Sequence, residues 1–267
     1  VFCRDVFHAL LINRASPGAW RSATACALVS AAKIGRHIDC HCLRTGGAMA
    51  GSNSLRCGPP SEAQATAARL EYFTELYGVA DPYGSRDRWY EQRKRRILLS
   101  ALPRRRFRKA FEPACGTGAL TRELSARCAH VLSSDFCEQA LVQAREALGN
   151  VANVRLENQT LPADWPGQEH VFDLIVVSEV CSFLQPHDVQ VLARLCAGSL
   201  DTDGVVAVCD WRWPFEARVC AAHCAHDIFN AVGLHRLVRH EEDDFLLGVW
   251  SVAPLSVAQR EGIVGQS

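Results

Sequence analysis

Residues 109–120 read KAFEPACGTGAL, a short apolar run that passes through Gly116, Thr117 and Gly118 directly into a helical pattern. Glycine has no Cβ, so a turn built from it tolerates positive φ and lets the backbone come close to a bound group. A Gly-x-Gly turn alone is also an ordinary way to join a strand to a helix, and its weight comes from what flanks it.

Outward from this turn, short apolar strands alternate with amphipathic helices. Strands are predicted at 109–113, 130–134, 153–157, 172–178 and 205–210, and helices at 119–128, 138–148, 187–199 and 215–232. Strict alternation means a parallel sheet with helices on both faces. The last two strands, 234–241 and 245–252, are separated only by the turn EDD, which leaves no room for a crossover helix and makes them an antiparallel hairpin. The expected fold is α/β and Rossmann-like: a seven-stranded, mostly parallel sheet with an antiparallel C-terminal hairpin.

Upstream, Ser61 and Gln64 form a possible capping box ahead of a stripe through Leu70, Phe73 and Leu76, which predicts a helix. After the turn DPYG (81–84), residues 86–100 read as a second helix ending before Pro103. The expected organisation is one α/β core domain at 61–254 with a helical lead-in at 61–102, and a tail at 255–267. Residues 1–60 are expected to be a poorly structured extension. The only methionine is Met49, and we expect residues 1–48 to be an upstream reading-frame extension, with a transit peptide as the functional alternative.

Lys plus Arg and Asp plus Glu both number 29, so no net field draws the chain to nucleic acid or an anionic membrane. The basic run Arg93 to Arg96 and Arg104 to Arg106 reads as a solvated helix end. Thirteen scattered cysteines read as buried, reduced thiols of a cytoplasmic protein. The clusters His37/Cys40/His41/Cys42 and Cys220/His223/Cys224/His226 would hold a metal only if their geometry converged, and none is expected. No apolar run is long enough to span a bilayer. The protein is expected to be a monomer or homodimer.

Candidate chemistry gathers at the predicted carboxyl ends of the strands. Asp135 closes the second strand about 20 residues after the glycine turn, the spacing at which a carboxylate accepts both ribose hydroxyls of a bound nucleoside. Thr121 replaces the third glycine of the dinucleotide pattern, so close approach to a pyrophosphate is not encoded. That favours S-adenosylmethionine over NAD. Glu112 can meet the methionine ammonium, Phe136 and Ser178 border the cofactor, and Glu157, Asn158 or Gln159 reads the adenine edge. Trp165 is either an apolar wall or core. Glu179, after the fourth strand, could orient an acceptor amine or take its proton. Asp210, Trp211, Arg212 and Trp213 end the fifth strand, where aromatic and charged groups could orient a polar acceptor. His223 and His226 are weaker candidates.

The segment EYFTELYGVADPYGSRDRWYEQRKRRILLSALP, followed by FEPACGTGALTREL, SSDF, FDLIVVSEV and HEEDDFLLGVW, resembles the nodulation protein S-like class I methyltransferases over residues 71–254. The resemblance implies that Gly116, Gly118 and Asp135 hold S-adenosylmethionine. It also implies that Tyr83, Arg88, Trp89 and Tyr90 lie over the cofactor or acceptor mouth, and that Glu179 faces the reacting centre. It suggests N-methylation of an amino sugar, a deacetylated oligosaccharide or a similar small amine, with O-methylation of a glycan or small metabolite as the alternative. Ala114 stands where many relatives have a first glycine. A nicotinamide-dependent oxidoreductase and a non-catalytic binding protein are the rival classes.

Overall fold

The computed structural model describes residues 62–167 and 171–265. The expectations for residues 1–60, the cap at Ser61 and the first His/Cys cluster lie outside them. Two helices lead in, α1 (Glu62–Leu76) and α2 (Trp89–Ala101). The core then runs β1 (Phe107–Pro113), α3 (Ala119–Ser125), β2 (Cys128–Asp135), α4 (Glu138–Leu148), β3 (Val154–Asn158) and β4 (Phe172–Ser178). A 3₁₀ turn (Cys181–Phe183), α5 (Pro186–Gly198), β5 (Leu200–Trp211), α6 (Ala222–Asn230), β6 (His235–Glu241), β7 (Phe245–Ser251) and α7 (Val257–Arg260) complete it.

The seven strands lie in the order β3-β2-β1-β4-β5-β7-β6. The first five are parallel, and β7 runs antiparallel to both β5 and β6. This is the expected Rossmann-like methyltransferase sheet. Its central strands are apolar on both faces because both faces are covered. On one side Phe111, Ile175, Val206 and Val208 pack against α5 and α6; on the other, Leu174, Val176, Val205 and Ala207 pack with Leu98 of α2 and Leu120 and Leu124 of α3. Strand order reverses between β1 and β4, and the crevice outside their carboxyl ends is where open α/β sheets bind ligands.

Several boundaries differ from expectation for identifiable reasons. The second helix starts at Trp89, not at 86, because the Asp81 carboxylate accepts the Ser85 and Arg86 amides at 2.8 and 3.1 Å and holds them in a turn. Helix α3 stops at Ser125, and β2 begins at Cys128, where Phe107 pairs with it. Strand β5 starts five residues before the expected position, because Leu200 pairs with Phe172 before the register slips. The helix expected at 215–232 is only α6, since the Val219 and Cys220 amides donate to the Ser182 carbonyl at 2.8 and 3.3 Å and hold the preceding turn against the 3₁₀ segment. The expected tail contains α7, closed by a capping box between Ser256 and Gln259 and tied by Arg260 to Asp203 and Ser251.

The eight described cysteines are all free, and seven are buried. Among the described residues, no three His, Cys, Asp or Glu side chains converge as a metal would require, and no helix is long and apolar enough to cross a membrane.

Candidate active site

The glycine turn leaves β1 with Ala114, Gly116 and Gly118 all at positive φ, 55°, 54° and 75°. Alanine there bears a left-handed strain of about 1 kcal/mol that glycine would avoid. At Gly116 the missing side chain matters sterically as well: a Cβ would lie 2.9 Å from the Tyr77 hydroxyl. One at Gly118 would lie 3.1 Å from the Ala144 Cβ of α4.

Two acids brace this turn. Asp135, at the end of β2, accepts the Gly116 amide on Oδ2 at 3.0 Å and the Cys137 amide on Oδ1 at 2.9 Å. Burial pushes its carboxyl up to about 6 against the pull of these amides. Glu112 is buried rather than solvated. Its Oε2 accepts the Thr121 hydroxyl at 2.6 Å and the Ser133 hydroxyl at 3.0 Å, and burial pushes its carboxyl up to about 7. Thr121, standing where a dinucleotide site has glycine, thus anchors this acid.

A nucleoside bearing an amino-acid chain fits this ground. Each Asp135 oxygen keeps a lone pair beyond its amide bond, and a carboxylate there matches a ribose diol. Nearby, Ser134 Oγ and Gln159 Oε1 are buried without hydrogen-bond partners at the ends of β2 and β3, where a bound group would satisfy them. Asn158 Nδ2 donates to the Phe136 carbonyl at 3.3 Å on the same edge. Glu157 is held by Arg155 and Gln159 at 2.7 and 2.8 Å.

An aromatic cap covers the turn. Phe73 of α1 and Tyr77 just beyond it pack with Tyr83, Phe136 and Phe183. The cap is fastened by Ser85 Oγ to Thr117 Oγ1 at 2.8 Å and by Arg69 to the Phe183 carbonyl at 3.1 Å. Burial raises the Tyr83 phenol well above its ordinary value, and the ring meets Tyr77 edge to face at 6.4 Å.

Glu179 follows β4 at φ 60° with its side chain one third exposed. Its Oε1 accepts the Lys94 ammonium at 2.7 Å and its Oε2 accepts the Trp211 amide at 2.9 Å. Lys94 also reaches Glu91 at 3.1 Å. Burial alone would lower the Lys94 ammonium, but Glu179 and Glu91 outweigh it and keep it charged. Two carboxylates and one ammonium leave this cluster with one net negative charge.

Of the other expected site residues, Ser178 ends β4 beside Cys209. Tyr90 and Trp211 meet edge to face at 5.5 Å next to Lys94. Arg88 lies against Gly84 in the lead-in turn. Trp89 does not join them: it is 66% exposed, carries the Arg96 guanidinium on its ring, and borders a surface groove with Arg93 and His240. Arg212 is tied to the β6–β7 turn through the Glu242 carbonyl and Glu241, and Trp213 donates to Asp244 at 2.9 Å. Asp210 is fully buried. Trp165 donates to Ser199 at 2.9 Å and packs edge to face on Phe111, which makes it core at the amino end of β5.

The sequence reading missed Lys94, Glu91 and Tyr77. It also took the basic run as solvated, whereas Lys94 and Arg95 are buried and paired with Glu179 and Glu123. The available signal was Tyr90, Lys94 and Leu98, spaced by four along a helix whose Leu98 is core.

Residues 110–204 match the methyltransferase domain family. A solved structure from Pseudomonas syringae, assigned as a methyltransferase with no named acceptor, is 39% identical, with a TM-score of 0.55 over 61% of this chain and 99% of that one. N-methyltransferase NodS from Bradyrhizobium japonicum WM9, with S-adenosyl-L-homocysteine bound, is 20% identical; its TM-score is 0.61 over 70% of this chain and 98% of that one. In sequence, the malonyl-[acyl-carrier protein] O-methyltransferase of Enterobacter lignolyticus is 26% identical over 156 residues, or 53% of this chain. The chain spans 58% of the length of that curated relative. Fold, glycine turn and relatives together define an S-adenosylmethionine-dependent methyltransferase of the Rossmann-like class. The chain belongs to this family, its cofactor is S-adenosylmethionine, and the oxidoreductase reading falls.

Proposed function

We propose that this chain moves the methyl group of S-adenosylmethionine to a small amine, with an amino sugar or deacetylated oligosaccharide as the leading acceptor class. The observation that carries this reading is Glu179, a partly exposed carboxylate at the ligand edge of β4 within a cluster of net charge minus one. A cationic amine is drawn to such a cluster. The cofactor, when bound, supplies a methyl group already activated on a sulfonium. The chain's own part is placement: Gly116 admits the ligand to the turn, Asp135 holds the ribose, and the Tyr77 and Tyr83 rings exclude water. Glu179 is itself aligned by Lys94 and the Trp211 amide, which favours orienting the amine over serving as a free base. In-line displacement depends strongly on alignment, so these roles supply much of the rate. The likeness to NodS, an N-methyltransferase, agrees with an amine.

O-methylation of a glycan or small metabolite is the second reading, and the likeness to an O-methyltransferase of a malonyl carrier favours it. A labelled-methyl screen against deacetylated chitooligosaccharides, simple amines, alcohols and a malonyl thioester separates the two. Label on amine nitrogen is the expected result. Label only on oxygen overturns the amine reading.

A further inference from the structure

A groove between α2 and β6 takes no part in the roles given above. Trp89, Arg93, Arg96 and Ile97 form its α2 wall, Val238 and His240 its β6 wall, and it encloses about 550 Å³. Trp89, Arg93 and Arg96 recur at helical spacing on one face of α2, while Tyr90, Lys94 and Leu98 lie on the neighbouring face. Trp89 is 66% exposed, and the Arg96 guanidinium rests on its ring at 5.5 Å. Arg93 holds Glu242 through two bonds of 2.7 Å, and His240 reaches the same carboxylate at 2.7 Å. Two guanidiniums face one carboxylate, so the groove is positive, and its exposed indole is a platform for a flat ring.

The register of the sheet ties this groove to the ligand edge. Ser178 pairs with Cys209, Cys209 with Leu247, and Leu247 with His240. His240 therefore stands in the row of Ser178, the residue before Glu179, at three strand spacings or about 14 Å. Ring contacts cross the same stretch: His240 stacks on Phe245 at 5.4 Å, Phe245 meets Tyr90 at 6.5 Å, and Tyr90 meets Trp211 at 5.5 Å. The Trp211 amide in turn holds Glu179. Helix α2 thus borders a negative cluster on one face, through Glu91 and Lys94, and a positive aromatic groove on the next.

Resting on the amine reading, we infer that the groove seats a handle on the acceptor, and that this handle is a nucleoside diphosphate. The acceptor is then an amino sugar whose ammonium lies at Glu179, whose phosphates lie among Arg93 and Arg96, and whose base stacks on Trp89. Charge complementarity selects this occupant: a cation is drawn to one face of α2 and an anion to the other, so one molecule that serves both carries both. A free oligosaccharide offers no anion to Arg96. A peptide strand is disfavoured as well, because the β6 edge carries Arg236, Arg239 and Glu241 and its register shifts between Arg236 and Val238.

The test uses protein saturated with S-adenosyl-L-homocysteine, so that the nucleoside ground is filled before the groove is probed. Calorimetry with uridine diphosphate should then show binding that Trp89→Ala and Arg96→Gln each weaken about tenfold. Both side chains are exposed, and an unchanged affinity for S-adenosyl-L-homocysteine shows that the variants fold. Uridine alone and pyrophosphate alone should each bind at least about tenfold more weakly than the diphosphate. No heat with uridine diphosphate, a Trp89→Ala variant that binds it as wild type does, or pyrophosphate binding equally well overturns the inference. In the labelled-methyl assay, an amino sugar joined to uridine diphosphate should show a KM at least about tenfold below that of the free amino sugar, and Trp89→Ala should erase the difference. Equal KM values in wild type also overturn it. Heat at the groove with label only on oxygen sinks the amine reading and upholds the handle.

Discussion

Gly116 is constrained twice, by its φ of 54° and by the Tyr77 hydroxyl where a Cβ would stand. Gly116→Ala should therefore fold yet bind S-adenosyl-L-homocysteine at least about tenfold more weakly by calorimetry, since both the backbone and the ring above it must shift. Glu112 makes a different prediction. Its carboxyl is raised from 4.5 to about 7 by burial, so the folded chain holds that proton more tightly than the unfolded one. Stability from this group is then present at low pH and is lost as pH rises from 4.5 toward about 7. The full loss is roughly 3 kcal/mol. Glu112→Gln should flatten the fall in melting temperature across that window, and an unchanged slope would show that the acid is not the source. At the reacting edge, Glu179→Gln weakens the pairing with Lys94 and removes the charge offered to an amine. Turnover should fall about a hundredfold with cofactor affinity kept within about twofold. Full activity in that variant would remove Glu179 from the mechanism.

Among the elements, the lead-in decides access to the site. The turn between α1 and α2 is pinned by one side chain of α4: Gln143 donates to the Tyr77 and Val79 carbonyls at 2.8 and 3.0 Å and accepts the Asp81 amide at 3.0 Å. Gln143→Ala should expose the 77–85 turn to limited proteolysis at least about fivefold faster, because three backbone groups lose their partner together. The strands of this fold were legible because buried parallel strands read as continuous apolar runs, as in 172–178, whose bounds agree with β4. Helix ends were less so. The start of α2 depends on Asp81 and the start of α6 on the Ser182 carbonyl, and tertiary hydrogen bonds of that kind leave no local period to read. The glycine turn and its acids were legible by spacing, while Lys94 was not, because a cation buried against Glu179, 85 residues away, looks like any other member of a basic run.

For the molecule as a whole, one tie spans the end opposite the ligand edge. Arg260 of α7 reaches Asp203 and Ser251, closing the C-terminal residues onto β5 and β7. Arg260→Ala should lower the melting temperature by about 2–4 °C without altering S-adenosyl-L-homocysteine affinity, and a change in affinity would refute the separation of the two ends. At the ligand edge, the Tyr77 hydroxyl stands over Gly116 and its ring meets the Tyr83 ring edge to face at 6.4 Å, so an aromatic cap sits on the glycine turn. A cap seated there predicts a queue. The nucleoside is expected to enter beneath the rings before the acceptor arrives, and to leave after the methylated product. Steady-state kinetics should accordingly show the methylated product competing with neither substrate, and a methylated product that competes with the acceptor would mean a random sequence of arrival.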